Sequence, residues 1–446
     1  MEEAVFYIQG LPEKKSEPLA SAASIHSGQH VALFRAGAPR HGAALSGIGP
    51  NERLFVAGAS AIIFSYLWGK ESVDQRFPVP EQMACLAVAN HPENVSDKTN
   101  VTSPSSSPLS APACPWLLAA GAPSGRLYVW ELASGRLLCV KDAHYQALTM
   151  IQFSRCGTFA VTAGEDARVL VWRTSDLVTG TAAPFATFAD HTLAVTDICV
   201  DSGSLSVVSA SRDGTVRVYD ILSRTLRSTF VFSQPVSSVA RDPAGRALYA
   251  ALADGTIRQV QMYTVNPHTH MMEAVGSGIV TVPADPELAY TFVHHGSAEV
   301  TLLAMSMDGI NLVSGDSEGR VFVTDVVTKQ VVRAFTAGAS VSHLEVGVFS
   351  REKKAAPARM LIPLKRVVAA QDPLEHLVAV QIRADEHASA AAKSAPDFAA
   401  WLEEKAHQQW EFAQEAPEQQ KLQKLSAAYN ALKENYEKLL AGKEEN

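Results

Sequence analysis

The chain has 446 residues, 47% of them hydrophobic and 19% charged, enough to bury a large core and more than one average domain needs. Its formal net charge of −8 argues against broad phosphate binding through its own surface, which needs net positive charge. Five cysteines, Cys85, Cys114, Cys139, Cys156 and Cys199, with no C-x-x-C, speak against a disulfide framework or a zinc site and for a reducing compartment.

The acidic start, Met1 to Val5, lacks the apolar stretch of a signal peptide, and no run is long enough to cross a membrane. Residues 4–10, 18–26 and 30–36 read as three strands, and Ile62 to Trp68 as a degenerate copy of a repeat that sharpens further on. Residues 91–113 include Thr102-Ser103-Pro104-Ser105-Ser106-Ser107-Pro108, the composition of a disordered insertion. Ser124 to Trp130 is a second copy. The next two align without gaps: His144 to Trp172 and His191 to Tyr219. In each, a His lies 28 residues before the aromatic, an Asp (Asp166, Asp213) six before it, and a hydroxyl residue (Thr162, Ser209) four before that Asp. Asp213-Gly214 between alternating runs is a hairpin signal. Weaker copies follow at Asp254 to Val260 and Glu318 to Thr324.

The marker positions are 68, 130, 172, 219, 260 and 324. Three gaps, of 42, 47 and 41 residues, have the length of one four-stranded propeller blade. The two longer gaps hold the insertion at 91–113 and a second at about 262–290, where Asn266-Pro267 and Pro283 predict loop. Six blades leave an open sheet edge. The three N-terminal strands together with 341–349 supply the seventh and close the ring. The expectation is an all-β, seven-bladed WD-repeat β-propeller over residues 1–382, a linker over 383–396 and a helical tail over 397–446.

Within a blade, His144, Thr162, Asp166 and Trp172, and again His191, Ser209, Asp213 and Tyr219, are spaced for a buried hydrogen-bond chain. In that chain the indole or phenol donates to the hydroxyl, the hydroxyl to the imidazole, and the imidazole to Asp. Read as a hydrolase triad, His191, Ser209 and Asp213 lack a G-x-S-x-G elbow, and the pattern occurs twice at repeat spacing, so a structural role ranks far ahead. His268 and His270 stand two apart, with no third metal ligand evident. No catalytic residue, metal or cofactor is expected. The basic stretch Arg351, Lys353, Lys354, Arg359, Lys365 and Arg366 reads as a solvated surface loop.

In the tail, Leu422, Leu425, Tyr429, Leu432, Tyr436 and Leu439 follow steps of 3, 4, 3, 4, 3, a heptad seam. Barely three heptads are marginal alone, so the seam needs a partner: a second copy of itself, another subunit, or the flank of the propeller. Upstream, Phe398, Trp401, Leu402, Trp410 and Phe412 mark a helix that also needs something to pack on.

Several segments carry a more specific signal: Lys70 to Glu81 (KESVDQRFPVPE), Ser124 to Glu131, Ala143 to Gln146, Asp190 to Asp197, Arg241 to Ala247, and the tail from Ala428 to Leu439. Together they resemble the fungal WD-repeat subunit of the Rix/Ipi ribosome-maturation complex, over nearly the whole chain. That resemblance implies a nuclear protein, of nucleolus and nucleoplasm, that joins late precursors of the large ribosomal subunit and is needed to process the second internal transcribed spacer of precursor rRNA. It further implies binding to a helical-repeat scaffold subunit in a two-plus-two core, a further subunit of the same complex, recruitment of a midasin-type AAA ATPase, and a role at replication origins. Direct contact with nucleic acid would be small. The main rival is a substrate receptor of a cullin-type ubiquitin ligase. Such receptors often end a blade in Trp-Asp-x-Arg, which Tyr219-Asp220-Ile221-Leu222-Ser223-Arg224 matches poorly. A propeller hydrolase ranks third.

Overall fold

The strands are short runs of β-branched, aromatic and small residues, which suit a pleated surface buried on both faces. Tight turns separate them, and glycine is needed where the turn packs closely. Gly125 has φ 88°, and a Cβ there would lie 2.1 Å from the carbonyl oxygen of His144. The structure, a computed structural model, describes residues 2–10, 20–49, 52–89, 117–180, 183–201, 203, 205–265, 272–274, 278–283, 290–349 and 360–368, with helical positions at Ser426, Ala427, Tyr429, Asn430 and Lys433. The chain divides into two units, Met1–Val378 and Ala379–Asn446.

The first unit is a seven-bladed propeller. From the central channel outward, blade one is Ala43–Leu45, Arg53–Ala57, Ile62–Leu67 and Gln75–Pro78, and blade two is Cys85–Ala89, Leu117–Gly121, Arg126–Glu131 and Leu137–Asp142. Blade three is Leu148–Phe153, Phe159–Gly164, Val169–Arg173 and Ala186–Phe188; blade four is Val195–Val200, Ser206–Ser211, Thr215–Asp220 and Thr225–Val231. Blade five is Val236–Arg241, Ala247–Leu252, Ile257–Gln261 and Thr291–Phe292; blade six is Val300–Met305, Asn311–Asp316, Arg320–Asp325 and Val331–Thr336. Blade seven closes the ring. Its inner strand, Val341–Phe349, comes from the end of the repeat region and pairs with Glu2–Gln9, followed by Ala20–Ser24 and His30–Phe34. This antiparallel pairing of the first strand with the last strand of the repeat region removes the bare edge that six blades would leave.

The cores lie between facing blades. Val161, Val171 and Phe188 of blade three pack on Ile198, Val207 and Tyr219 of blade four, and each blade repeats the arrangement with its neighbour. Each pair of faces buries the alternating side chains of two sheets, as in a sandwich.

Two expectations change. Sheet register pairs Tyr66 with Leu54 as Trp172 pairs with Ala160, so the first marker is Tyr66 and not Trp68. The insertion at 262–290 is not all loop. Tyr263–Val265 and Met272–Ala274 form a hairpin, and Gly278–Thr281 adds to blade four as a fifth strand parallel to Thr225–Val231. The physical cause is an open sheet edge on blade four meeting the strand-forming run Ile279-Val280-Thr281. A short helix, Thr174–Thr179, also follows the third strand of blade three. It stops at Gly180 in the left-handed conformation and buries Leu177. The insertion at 91–113, the linker 383–396, most of the tail, His268 and His270 lie outside the described residues. Of the seam, Tyr429 is described, helical and exposed; Leu422, Leu425, Leu432, Tyr436 and Leu439 lie outside.

Candidate functional site: blade networks, channel plug and strap

In blade three the imidazole of His144 joins Asp166 (Nδ1 to Oδ1, 2.9 Å) and Thr162 (Nε2 to Oγ1, 2.9 Å), and the Trp172 indole donates to the same Thr162 oxygen at 3.1 Å. In blade four His191 joins Asp213 at 3.0 Å and Ser209 at 2.7 Å. Burial would raise the Asp213 carboxyl, but hydrogen bonds from His191, Thr215 and the Thr192 amide outweigh it and hold the group well below the usual carboxylate range. One contact expected from the spacing is missing. The Tyr219 hydroxyl does not donate to Ser209 and has no hydrogen-bond partner among the described residues. Its ring instead stacks on Phe188, with centroids 4.2 Å apart. Ser209 and Thr162 are fully buried, so neither hydroxyl can reach a substrate.

Blade six holds a third network that the offsets did not reveal. His295 joins Asp316 at 3.0 Å and Ser314 at 2.7 Å, and Arg320 bonds both Asp316 and the His295 carbonyl. Here the Asp stands two residues after the hydroxyl and not four, at the end of the strand and not in the turn. Burial lowers the His295 imidazole despite its Asp partner. The signal available in the sequence was Ser314-Gly315-Asp316 following His295.

Blade one uses a different solution. Arg53, almost fully buried, donates to Ser65 at 3.2 Å and pairs with Asp74 at 2.8 Å, and Lys70 also reaches Asp74. Burial raises the Asp74 carboxyl, but Arg53 and Lys70 bring it below its ordinary value. Asp74 belongs to the segment from Lys70 to Glu81. Two more of its residues make long-range contacts. Glu81 accepts from the Tyr128 hydroxyl at 2.6 Å and from Ser124 at 2.9 Å. Gln75 clasps Leu361 with two bonds, to its N–H at 3.0 Å and its carbonyl at 2.9 Å.

Leu361 is part of a strap, residues 360–368, which lies against blades one and two. Leu361 and Leu364 are buried in the core shared by those blades. Lys365 N donates to Gly135 O at 2.7 Å, the Trp130 indole donates to Lys365 O at 2.9 Å, and Val368 makes a parallel bridge to Leu137. This part of the basic stretch is docked and not a free loop, because Leu361 and Leu364, three residues apart, bury while Arg366 stays exposed.

A second sequence signal appears only once the inner strands are aligned. In blades three to seven the second residue of the inner strand is Thr149, Thr196, Ser237, Thr301 or Ser342, and each falls at a β-bulge. In blades four to six the bulged hydroxyl reaches the next blade: Thr196 donates to Val236 O at 2.8 Å, Ser237 to Val300 O, and Thr301 to Val341 O at 2.9 Å. Bulging also frees the backbone carbonyl of the extra residue. The loop before blade one takes these up. Arg40 donates to Ser237 O at 2.6 Å and Thr301 O at 3.0 Å, and the His41 amide donates to Ser342 O at 3.0 Å. His41 has φ 56°, and its carbonyl accepts from Leu86 N of blade two. Partners on blades two, five, six and seven place this loop across the channel as a plug. Beneath it, Asp197 accepts the Ser238 hydroxyl and the amides of Ile198 and Val239, and Ser238 in turn accepts the Leu303 amide. Burial pushes the Asp197 carboxyl up to about 6, against those bonds and the nearby Arg40. The rest of the channel is a cavity of about 400 Å³ lined by Phe153, Arg241, Met305, His343 and Glu345, among others.

Buried His–Ser/Thr–Asp networks in a ring of seven blades, closed by pairing Glu2–Gln9 with Val341–Phe349, define a WD-repeat β-propeller protein. Residues 135–173 and 182–220 match the family described as WD domain, G-beta repeat. The chain is 45% identical to the Pre-rRNA-processing protein IPI3 of Meyerozyma guilliermondii, with 99% of each chain covered. It is 40% identical to that of Scheffersomyces stipitis, over 99% of this chain and 98% of the relative, and 39% identical to that of Candida albicans over the same shares. The chain belongs to the family of the Pre-rRNA-processing protein IPI3.

Proposed function

We propose that this chain is a non-catalytic scaffold subunit of a nuclear complex that matures the large ribosomal subunit and processes the second internal transcribed spacer of precursor rRNA. The observation that carries this reading is the likeness, over essentially the full length, to relatives named for pre-rRNA processing. The chemistry agrees with a scaffold. Each His–Ser/Thr–Asp constellation is buried and consumed inside a blade, where it holds strands together and offers no nucleophile. The partners in this reading are a helical-repeat scaffold subunit, a further subunit of the same complex, a midasin-type AAA ATPase and the precursor particle. The tail supplies a seam for a second copy or another subunit.

The test is a tagged pull-down from nuclear extract, with proteins identified by mass spectrometry and RNA probed for the spacer. Recovery of the helical-repeat subunit, the giant ATPase and spacer-containing precursor is the expected result. Cullin adaptors without precursor rRNA would overturn it in favour of a ubiquitin-ligase receptor.

A further inference from the structure

Phe185 stands just before the outer strand of blade three, and two guanidiniums lie against its ring. The Cζ of Arg173 is 4.4 Å and that of Arg224 is 4.2 Å from the ring centroid. Arg173 ends the third strand of blade three. Arg224 sits at φ 57° in the turn between the third and fourth strands of blade four. Both arginines are exposed. Among the described residues neither guanidinium has a carboxylate partner or a side-chain hydrogen bond. Two like charges repel at this range, and the negative face of the ring offsets the repulsion. The result is a pair of donor forks gathered on one ring, in a chain whose net charge is −8.

Exposed apolar side chains adjoin them. Leu222, two residues before Arg224, is 60% exposed, and Leu205 is 52% exposed. The amide of Ile221 donates to the carbonyl of Leu205 at 2.9 Å, which ties the two leucine-bearing segments side by side.

We propose that this edge of blades three and four docks an acidic peptide segment of a partner protein, with a carboxylate against Arg173 and Arg224 and an apolar side chain on Leu205 and Leu222. The planar guanidinium matches a carboxylate with two parallel hydrogen bonds, and arginine is among the residues that dominate binding energy at protein interfaces. A nucleic-acid strand fits less well. Single-stranded binding uses open aromatic faces as stacking platforms, whereas the Phe185 ring is already covered by the two guanidiniums and the adjacent side chains are leucines.

The test uses the full chain and a fluorescein-labelled peptide with the repeat Glu-Glu-Leu, followed by anisotropy at low salt. Saturable binding is expected, weakened about tenfold or more in Arg173→Ala/Arg224→Ala and also in Leu205→Ser/Leu222→Ser. The pair Arg173→Lys/Arg224→Lys keeps the charge and tests the fork; it is expected to recover only part of the affinity. All these positions are exposed, and unchanged circular dichroism checks that the variants fold. Absence of saturable binding by the wild type, or equal binding by the double alanine variant, would overturn the proposal. So would tighter binding of a single-stranded RNA oligonucleotide that is lost on the same substitutions, which would make the edge a phosphate site.

Discussion

The indole N–H of Trp130 donates to the carbonyl oxygen of Lys365 at 2.9 Å, across 235 residues of chain. In blade three the equivalent Trp172 finds its acceptor inside the blade, on Thr162. Sheet register puts Ala120 of blade two in the place of Thr162, so the blade has no hydroxyl to offer. A buried indole without an acceptor costs about 1–3 kcal/mol. The strap supplies the acceptor, and its leucines fill the core beside it.

The strap is therefore expected to stabilise the propeller. Leu361→Ala/Leu364→Ala should lower unfolding stability in urea by roughly 2–5 kcal/mol, and the indole proton of Trp130 should exchange faster with solvent. An unchanged urea midpoint together with a slow-exchanging indole would show that the strap adds nothing.

Removing one member of a blade network should hurt stability without altering the fold. Ser209→Ala strands Nε2 of His191 in a buried site, at a cost of about 1–3 kcal/mol. Asp213 sets the acid response. Its folded carboxyl lies below the ordinary value, so its contribution is present above the unfolded pKa, near 4, and fades as pH falls toward the folded one. Asp213→Asn should be less stable than wild type at pH 7, with the gap closing as pH drops below about 4. A gap independent of pH in chemical denaturation would refute the linkage.

Asp197 should show the opposite slope. Its folded carboxyl is pushed up to about 6, above its unfolded value. The protonated form favours the fold, and that stabilisation is lost as pH rises from about 4 through 6. Relative to Asp197→Asn, wild type should lose stability over that interval and hold level above it. Unfolding curves at pH 4, 5, 6 and 7 read the difference directly, and a wild type that gains on the variant across the same range would contradict the assignment.

For the tail, Leu425→Asp/Leu432→Asp/Leu439→Asp places charge along the proposed seam. The expected outcome is a lower molar mass by light scattering, with the propeller's thermal transition unmoved. An unchanged mass would remove self-association through the seam and leave another subunit or the chain's own surface as its partner.

The repeat is legible from residue spacing alone, because the features that mark it are local. A His, a hydroxyl and an Asp that bond within one blade keep fixed offsets to each other and to the aromatic, as in blades three and four. Alternating runs and Asp-Gly turns settle strand and hairpin without help from the rest of the molecule. Even so, the register of blade one moved the marker from Trp68 to Tyr66, and the network of blade six escaped because Asp316 reaches His295 from the strand end, at an offset of its own. The contacts between distant segments emerge with the assembled fold. The plug carries Arg40 to carbonyls on blades five and six, the strap answers Trp130, and the strand Gly278–Thr281 leaves blade five to pair with blade four. None of these has a periodic signature, since each exists to satisfy a polar group or a sheet edge that the closed ring leaves open. Such vacancies are properties of the assembled propeller, fixed by which carbonyls the bulges free and which blades lack a hydroxyl, and no single stretch of chain contains them.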